Sequence, residues 1–153
     1  MDMSALASQA GMEAAMRDYV DVINTQQNTF NKMLTPALLE CSYEDKTVTF
    51  SFAVEPWMSN PQGIVHGGIT ASVLDFAMGF LCRYCSDGNM TPTVDMQIAY
   101  LRPIPLEGHI AVKARCVMSG RTIARTTAEA WSDARPGKIC ATASGTYFTK
   151  AGR

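Results

Sequence analysis

Hydrophobic and polar positions change period along this chain, and each change marks a different kind of element. Between residues 12 and 34, Met16, Tyr19, Val20, Ile23, Phe30 and Leu34 recur at mostly helical spacings until Pro36 stops the pattern. One or two amphipathic helices are expected there. The period falls to two where Val48, Phe50, Phe52 and Val54 alternate with Thr47, Thr49, Ser51 and Ala53, as in a half-buried strand. Leu38 to Tyr43, across Glu44-Asp45-Lys46, is its expected hairpin mate. Pro56, Asn60, Pro61 and Gly63 then exclude regular structure from 55–65, which reads as a loop.

From Ile69 to Cys85 the chain is almost wholly apolar, and its large residues fall on every side of a helical wheel, which predicts a buried helix. Asp75 is the only carboxylate in it. Burying an ionised carboxylate without partners is costly, so Asp75 needs hydrogen bonds, a shifted pKa or a chemical task. The stretch is shorter than the roughly 20 residues that a bilayer crossing requires, and Asp75 interrupts it, so no membrane span is expected.

After Ser86-Asp87-Gly88-Asn89 the alternation returns over 93–101, 109–118, 122–132 and 138–148. Ile110, Val112, Ala114, Cys116 and Met118 share one face of their strand, opposite Lys113 and Arg115. The connections Pro103 to Gly108, Ser119-Gly120 and Ala134 to Gly137 are short and rich in turn residues, so successive strands are expected to pair as an antiparallel meander. Ala124, Ala128 and Ala130, like Ala141, Ala143 and Gly145, form small-residue faces that would let a curved sheet approach a helix closely. The expected architecture is α+β: one long helix wrapped by a curved antiparallel sheet of five to six strands, after an N-terminal helical segment.

Composition narrows the function class. With 153 residues, 47% hydrophobic and 18% charged, the chain fits one folded domain, and a net charge of -1 argues against nucleic-acid partners. Five cysteines, an odd number, form no disulfide framework, and the N-terminus lacks a signal-peptide pattern, while Asp2 and Glu13 argue against a transit peptide. A cytoplasmic, reducing location is expected. Cys82-Arg-Tyr-Cys85 has redox or zinc spacing, but no second pair exists and the cysteines close a helix rather than open it. Core packing or mild surface thiols explain them, and no metal or redox cofactor is expected.

The chemistry concentrates in Asn60-Pro-Gln-Gly63-Ile-Val-His66-Gly67-Gly68, followed by Asp75 on the helix. This ordered set resembles the active-site signature of hotdog-fold acyl-CoA thioesterases, in the phenylacetate-pathway (PaaI-like) and mammalian thioesterase-superfamily-member branch. Thr93-Val-Asp-Met-Gln-Ile-Ala-Tyr-Leu-Arg-Pro103 resembles that family's first strand after the helix, and Ser119-Gly-Arg-Thr-Ile-Ala124 the turn beside its coenzyme A site. The likeness spans 38–149, so it implies a hotdog domain over 36–150 behind a helical segment at 1–35.

The resemblance implies an acyl-CoA substrate, aryl-acetyl or medium-chain, and no cofactor. It makes Asp75 the base or nucleophile and Gly67 the backbone donor to the developing oxyanion, at the positive end of the helix dipole. Asn60 and His66 would orient the thioester, and Thr93 stands where a hydroxyl positions water, a place the family often fills with serine. Beside the motif, Met58, Met78 and Met96 could line an adaptable acyl pocket with Trp57, Phe76 and Gly68, while Arg102, Arg121 and Lys150 are candidates for the coenzyme A phosphates. Asp75 lies about two helical turns, roughly 10 Å, from the Gly67 amide of its own chain. The family resolves that gap with a homodimer whose active sites are shared, and such dimers often pair into tetramers.

Plainer readings compete with each of these. Asp75 alone would read as a structural carboxylate bonded to a loop, and the preceding motif reverses that preference. His66 alone would read as a helix-start residue, and His109 as surface without companions. A hotdog dehydratase is disfavoured because the helix carries no histidine. A non-catalytic acyl-CoA or acyl-carrier-protein binding module is the remaining alternative, against which intact Asn60, Gly67 and Asp75 argue.

Overall fold

A computed structural model of the protein describes residues 7–149. Its elements run α1 (Gln9–Thr25), α2 (Phe30–Met33), β1 (Pro36–Ser42), β2 (Thr47–Ala53), α3 (Gly67–Cys85), β3 (Thr93–Tyr100), β4 (His109–Ser119), β5 (Ile123–Ser132) and β6 (Ile139–Phe148). The strands form a 6-stranded antiparallel sheet in the order β1-β2-β4-β5-β6-β3, wrapped around α3 in the hotdog arrangement. The β1–β2 hairpin forms as expected, with Lys46 at φ 52 in its turn.

The meander expectation fails at one connection. β3 does not pair with β4 but crosses to the far edge and pairs with β6. The reason lies in residues 101–108, which read as a turn but act as a packed crossover. Leu101 and Arg102 donate backbone hydrogen bonds to the Cys140 carbonyl at 2.8 and 3.0 Å, and buried Ile104 accepts one from Val65 at 3.0 Å. The chain is thus tied first to β6 and then to the loop before α3.

Two further expectations need correction. Met118 leaves the inward face of β4 because a bulge between Cys116 and Met118 shifts the register, and its side chain is exposed. The loop over 55–65 contains one 3-10 turn, Pro56–Met58, which plants Met58 in the core.

α3 packs Val73, Leu74, Ala77, Met78, Leu81 and Cys82 against the inward faces of the sheet. The small stripe works as expected: Ala124, Ala128, Ala130 and Ala141 are buried, and a Cβ on Gly145 would come within 3.4 Å of Met78 Cε. The helix is not buried all round, however. Ser72, Asp75, Gly79 and Arg83, three and four residues apart and therefore on one face, form a half-buried stripe that the sheet leaves open. α1 buries Met12, Met16, Val20 and Ile23, and its Tyr19 ring lies 5.5 Å from that of Phe80 on α3.

Candidate active site

Asp75 sits on the open stripe of α3, and two hydroxyls converge on one of its oxygens. Thr93, the first residue of β3, donates to Oδ1 at 2.8 Å, and Tyr147, near the end of β6, donates to the same atom at 2.9 Å. Both strands reach Asp75 because they are neighbours at the sheet edge, with Thr93 opposite Tyr147 in the register. Burial first, and then the Asp75 carboxylate, push the Tyr147 hydroxyl far above the usual phenol range, so it remains a donor. Oδ1 is thereby saturated and Oδ2 is left for chemistry.

Tyr147 was not visible as a site residue in the sequence. Its only signal is a large hydroxyl-bearing ring closing the inward small-residue stripe of Ala141, Ala143 and Gly145. Glycine at 145 is what admits the ring, since a Cβ there would stand 2.9 Å from Tyr147 Cε2.

A cavity of about 340 Å³ opens beside Asp75, lined by Phe76, Gly79, Phe80 and Tyr147 and closed on another side by Phe30 of α2. Its surface is mainly apolar, with the Phe76 and Phe80 rings 4.4 Å apart, and Asn31, Ser72 and Thr91 add polar groups. A second cleft, at the start of α3, gathers Asn60, Gly67, Tyr100 and Arg102.

The start of α3 shows how its free donors are spent. His66 is the N-cap, and its Nδ1 accepts from the Gly68 amide at 2.9 Å, which fixes the ring as the Nε2–H tautomer. Ile69 and Thr70 donate to the His66 carbonyl at 2.9 and 3.2 Å. Among the described residues only the Gly67 amide of this turn finds no acceptor, and the helix dipole stands behind it. The Tyr100 hydroxyl donates to the Gly67 carbonyl at 2.9 Å and steadies the glycine. Asn60 Oδ1 accepts from the Gln62 and Ile64 amides at 2.9 and 3.3 Å, a tight turn that leaves its NH₂ group as a donor toward the cleft.

The structure brings Asp75 and Thr93 together and, separately, Asn60, His66, Gly67 and Gly68. Of the substrate-site candidates, Phe76 lines the aromatic cavity and Arg102 the second cleft, where its guanidinium donates to the Ile139 carbonyl at 2.6 Å. Met58 and Met78 are fully buried in the core, Trp57 and Arg121 are exposed away from both clefts, and Lys150 lies outside the described residues. His109 is exposed as expected but has a companion: its Nδ1 is 2.9 Å from Asp133 Oδ2, which joins the start of β4 to the end of β5. The Cys82 thiol is buried and pushed up to about 11, the state of an unreactive packing group.

Comparison with known proteins gives a consistent picture. A family model described as the Thioesterase superfamily matches residues 62–139. The human acyl-coenzyme A thioesterase 13 is 29% identical over 132 residues, covering 85% of this chain and 91% of that protein. Among solved structures, zebra fish thioesterase superfamily member 2 aligns with a TM-score of 0.78 and 23% identity, covering 93% of this chain and 98% of its own. The PaaI protein from the phenylacetic acid degradation operon of E. coli aligns with a TM-score of 0.76 and 18% identity, covering 92% and 96% of the two chains.

Proposed function

The chain belongs to the thioesterase superfamily, and from that membership we propose that it hydrolyses the thioester bond of acyl-CoA molecules. One observation carries the reading: Asp75 presents a carboxylate with one oxygen held by Thr93 and Tyr147, while the Gly67 amide is the unpaired donor of the first helical turn. Thioester hydrolysis needs this pair, a base or nucleophile and a donor to the oxygen that becomes negative. The name of the human relative supports coenzyme A as the leaving group. The aromatic cavity beside Asp75 supports aryl-acetyl or medium-chain acyl groups.

In the hydrolytic step, Asp75 Oδ2 takes a proton from water as the water oxygen bonds to the thioester carbon, and the carbonyl oxygen becomes an oxyanion facing the Gly67 amide. Collapse re-forms the carbonyl and breaks the C–S bond, and the proton returns from Asp75 to the departing thiolate. Direct attack by Oδ2, through a mixed anhydride that water then cleaves, uses the same groups. Oxygen-18 from labelled water enters the Asp75 carboxylate only in the second route, when water opens the anhydride at the Asp75 carbonyl. Thr93 and Tyr147 orient the carboxylate in both.

The working unit is a homodimer. Asp75 and Gly67 of one chain are two helical turns apart and face different clefts, so a single chain offers two half-sites. The free edge of β3, with Val94 at 59% and Tyr100 at 56% exposure, provides an apolar surface for a second copy. Five free cysteines suit a reducing cytoplasm, and no helix among the described residues is long and apolar enough to cross a membrane. The test is thiol release from a panel of acyl-CoAs by the wild type and Asp75→Asn. Wild-type release that falls at least a hundredfold in the variant is expected, and no release from any acyl-CoA would overturn the reading.

A further inference from the structure

Arg83 closes the end of the aromatic cavity farthest along α3 from Asp75, and nothing in the proposed hydrolysis uses it. The stripe Asp75, Gly79, Arg83 runs along the cavity, and Gly79 keeps its floor open between the two charged residues. Phe76, Phe80 and Phe30 wall the space with rings. A permanent positive charge therefore stands at the end of an otherwise mainly apolar chamber.

The other contacts of that charge, which stands in the last turn of α3 where the helix dipole favours a cation, leave it without a carboxylate partner. Arg83 Nε donates to the Gly88 carbonyl at 3.2 Å, and the guanidinium carbon lies 4.8 Å over the Tyr19 ring. Among the described residues no carboxylate forms an ion pair with it, and Asp18, next to Tyr19 on the facing helix, does not reach it. A half-buried guanidinium with one nitrogen bonded to a carbonyl and its face on a ring retains donors suited to a planar anion. Beside apolar rings the guanidinium is less well screened than a fully solvated arginine, so an anionic ligand group gains more here.

We propose that Arg83 is a specificity residue that selects acyl groups ending in a carboxylate, held with the thioester at Asp75 and the terminal anion at the guanidinium. The proposal rests on the thioesterase reading of the same cavity. Asp75 and Arg83 are two turns apart, about 12 Å of helix, and their side chains shorten that span, which suits acyl chains of about six to eight carbons.

The experiment compares adipyl- and suberyl-CoA with hexanoyl- and octanoyl-CoA, pairs of equal chain length that differ in the terminal group. The wild type is expected to show a kcat/KM about tenfold or more higher for the carboxylate-ended member. Arg83→Met, which keeps an unbranched apolar stem but removes the charge, is expected to reverse that order, while Arg83→Lys retains part of it. Equal loss on all four substrates in Arg83→Met, or a wild-type preference for the neutral chains, would overturn the proposal and reduce Arg83 to a support for the helix end. Calorimetric titration of the Asp75→Asn protein with suberyl- and octanoyl-CoA supplies a reading free of turnover. If no thioester is hydrolysed, the thioesterase reading fails, and the titration alone decides whether Arg83 selects the anion. Equal affinity for the two ligands there counts against it.

Discussion

Tyr147 donates its phenolic hydrogen to Asp75 Oδ1 at 2.9 Å, on the atom that already accepts the Thr93 hydroxyl at 2.8 Å. Two rigid strands thus hold one oxygen of a helix carboxylate and leave the other for reaction. Tyr147→Phe keeps the ring that fills the space against Gly79 and Gly145 and removes only the donor. A hydrogen bond to a charged group is worth about 1.5–3 kcal/mol, so kcat is expected to fall roughly 10–100-fold with KM little changed. Steady-state thiol release checks this, alongside a thermal melt showing that the fold survives. A variant with unchanged kcat would remove Tyr147 from the machinery.

His66 accepts the Gly68 amide and caps α3, so its first duty is geometric. His66→Ala should destabilise the protein by about 1 kcal/mol through loss of the cap and should release the Gly68 amide to compete with that of Gly67. Asparagine is an efficient cap without an imidazole, so His66→Asn is expected to restore both the stability and most of the activity. Urea midpoints and kcat for the two variants provide the check. A hundredfold loss of activity in His66→Asn despite restored stability would show that the ring itself takes part in the reaction.

Much of this was legible in the sequence, for identifiable physical reasons. Alternation at Val48, Phe50 and Phe52 and the small stripe of Ala124, Ala128 and Ala130 reflect one-sided burial, which leaves a period in the residues. The turn at Asn60 and the helix start at Gly67 show in the residue types that turns and caps demand, and Asp75 stands out as the only carboxylate of an apolar helix, but their grouping as one site rests on the family resemblance. What stayed hidden depends on contacts between distant segments. The placement of β3 beside β6 is decided by Ile104 and the Cys140 carbonyl, and nothing local to 101–108 encodes that crossover. Tyr147 meets Asp75 from 72 positions away, and the open stripe of α3 exists only because the sheet stops short of it. Met118 looked inward because periodicity cannot register a bulge.

Several weak acids are buried in their neutral forms, which fixes how stability depends on alkaline pH. Burial pushes Cys82 up from an ordinary 9.0 to about 11 and Tyr84 from 10.0 to about 12, and Tyr147 is raised as well. Between the ordinary and raised values the unfolded chain has released these protons while the folded chain keeps them. The stability these three groups contribute is therefore fully present below about pH 9 and falls as pH rises from there through the raised values. Urea midpoints at intervals from pH 9 to 11 should decline, and Cys82→Ala should make the first part of the decline shallower. A flat profile would mean that these groups titrate alike in both states.

Separation of the half-sites leads to a test by subunit mixing. Asn60→Ala removes a group of the cleft that contains Gly67, and Asp75→Ala removes the carboxylate of the other cleft, so each variant alone should be nearly inactive. If sites form between subunits, a heterodimer of the two variants carries one site with both defects and one with neither. Random exchange at equal concentrations makes half of the dimers mixed, so about a quarter of wild-type activity should return. Sites confined to single chains would instead give every site one defect, and mixing would restore nothing. Tagging one variant and isolating the mixed dimers separates failed exchange from failed complementation. Mixed dimers without activity would place Asp75 and Gly67 of the same chain in one site, despite the two turns of helix between them.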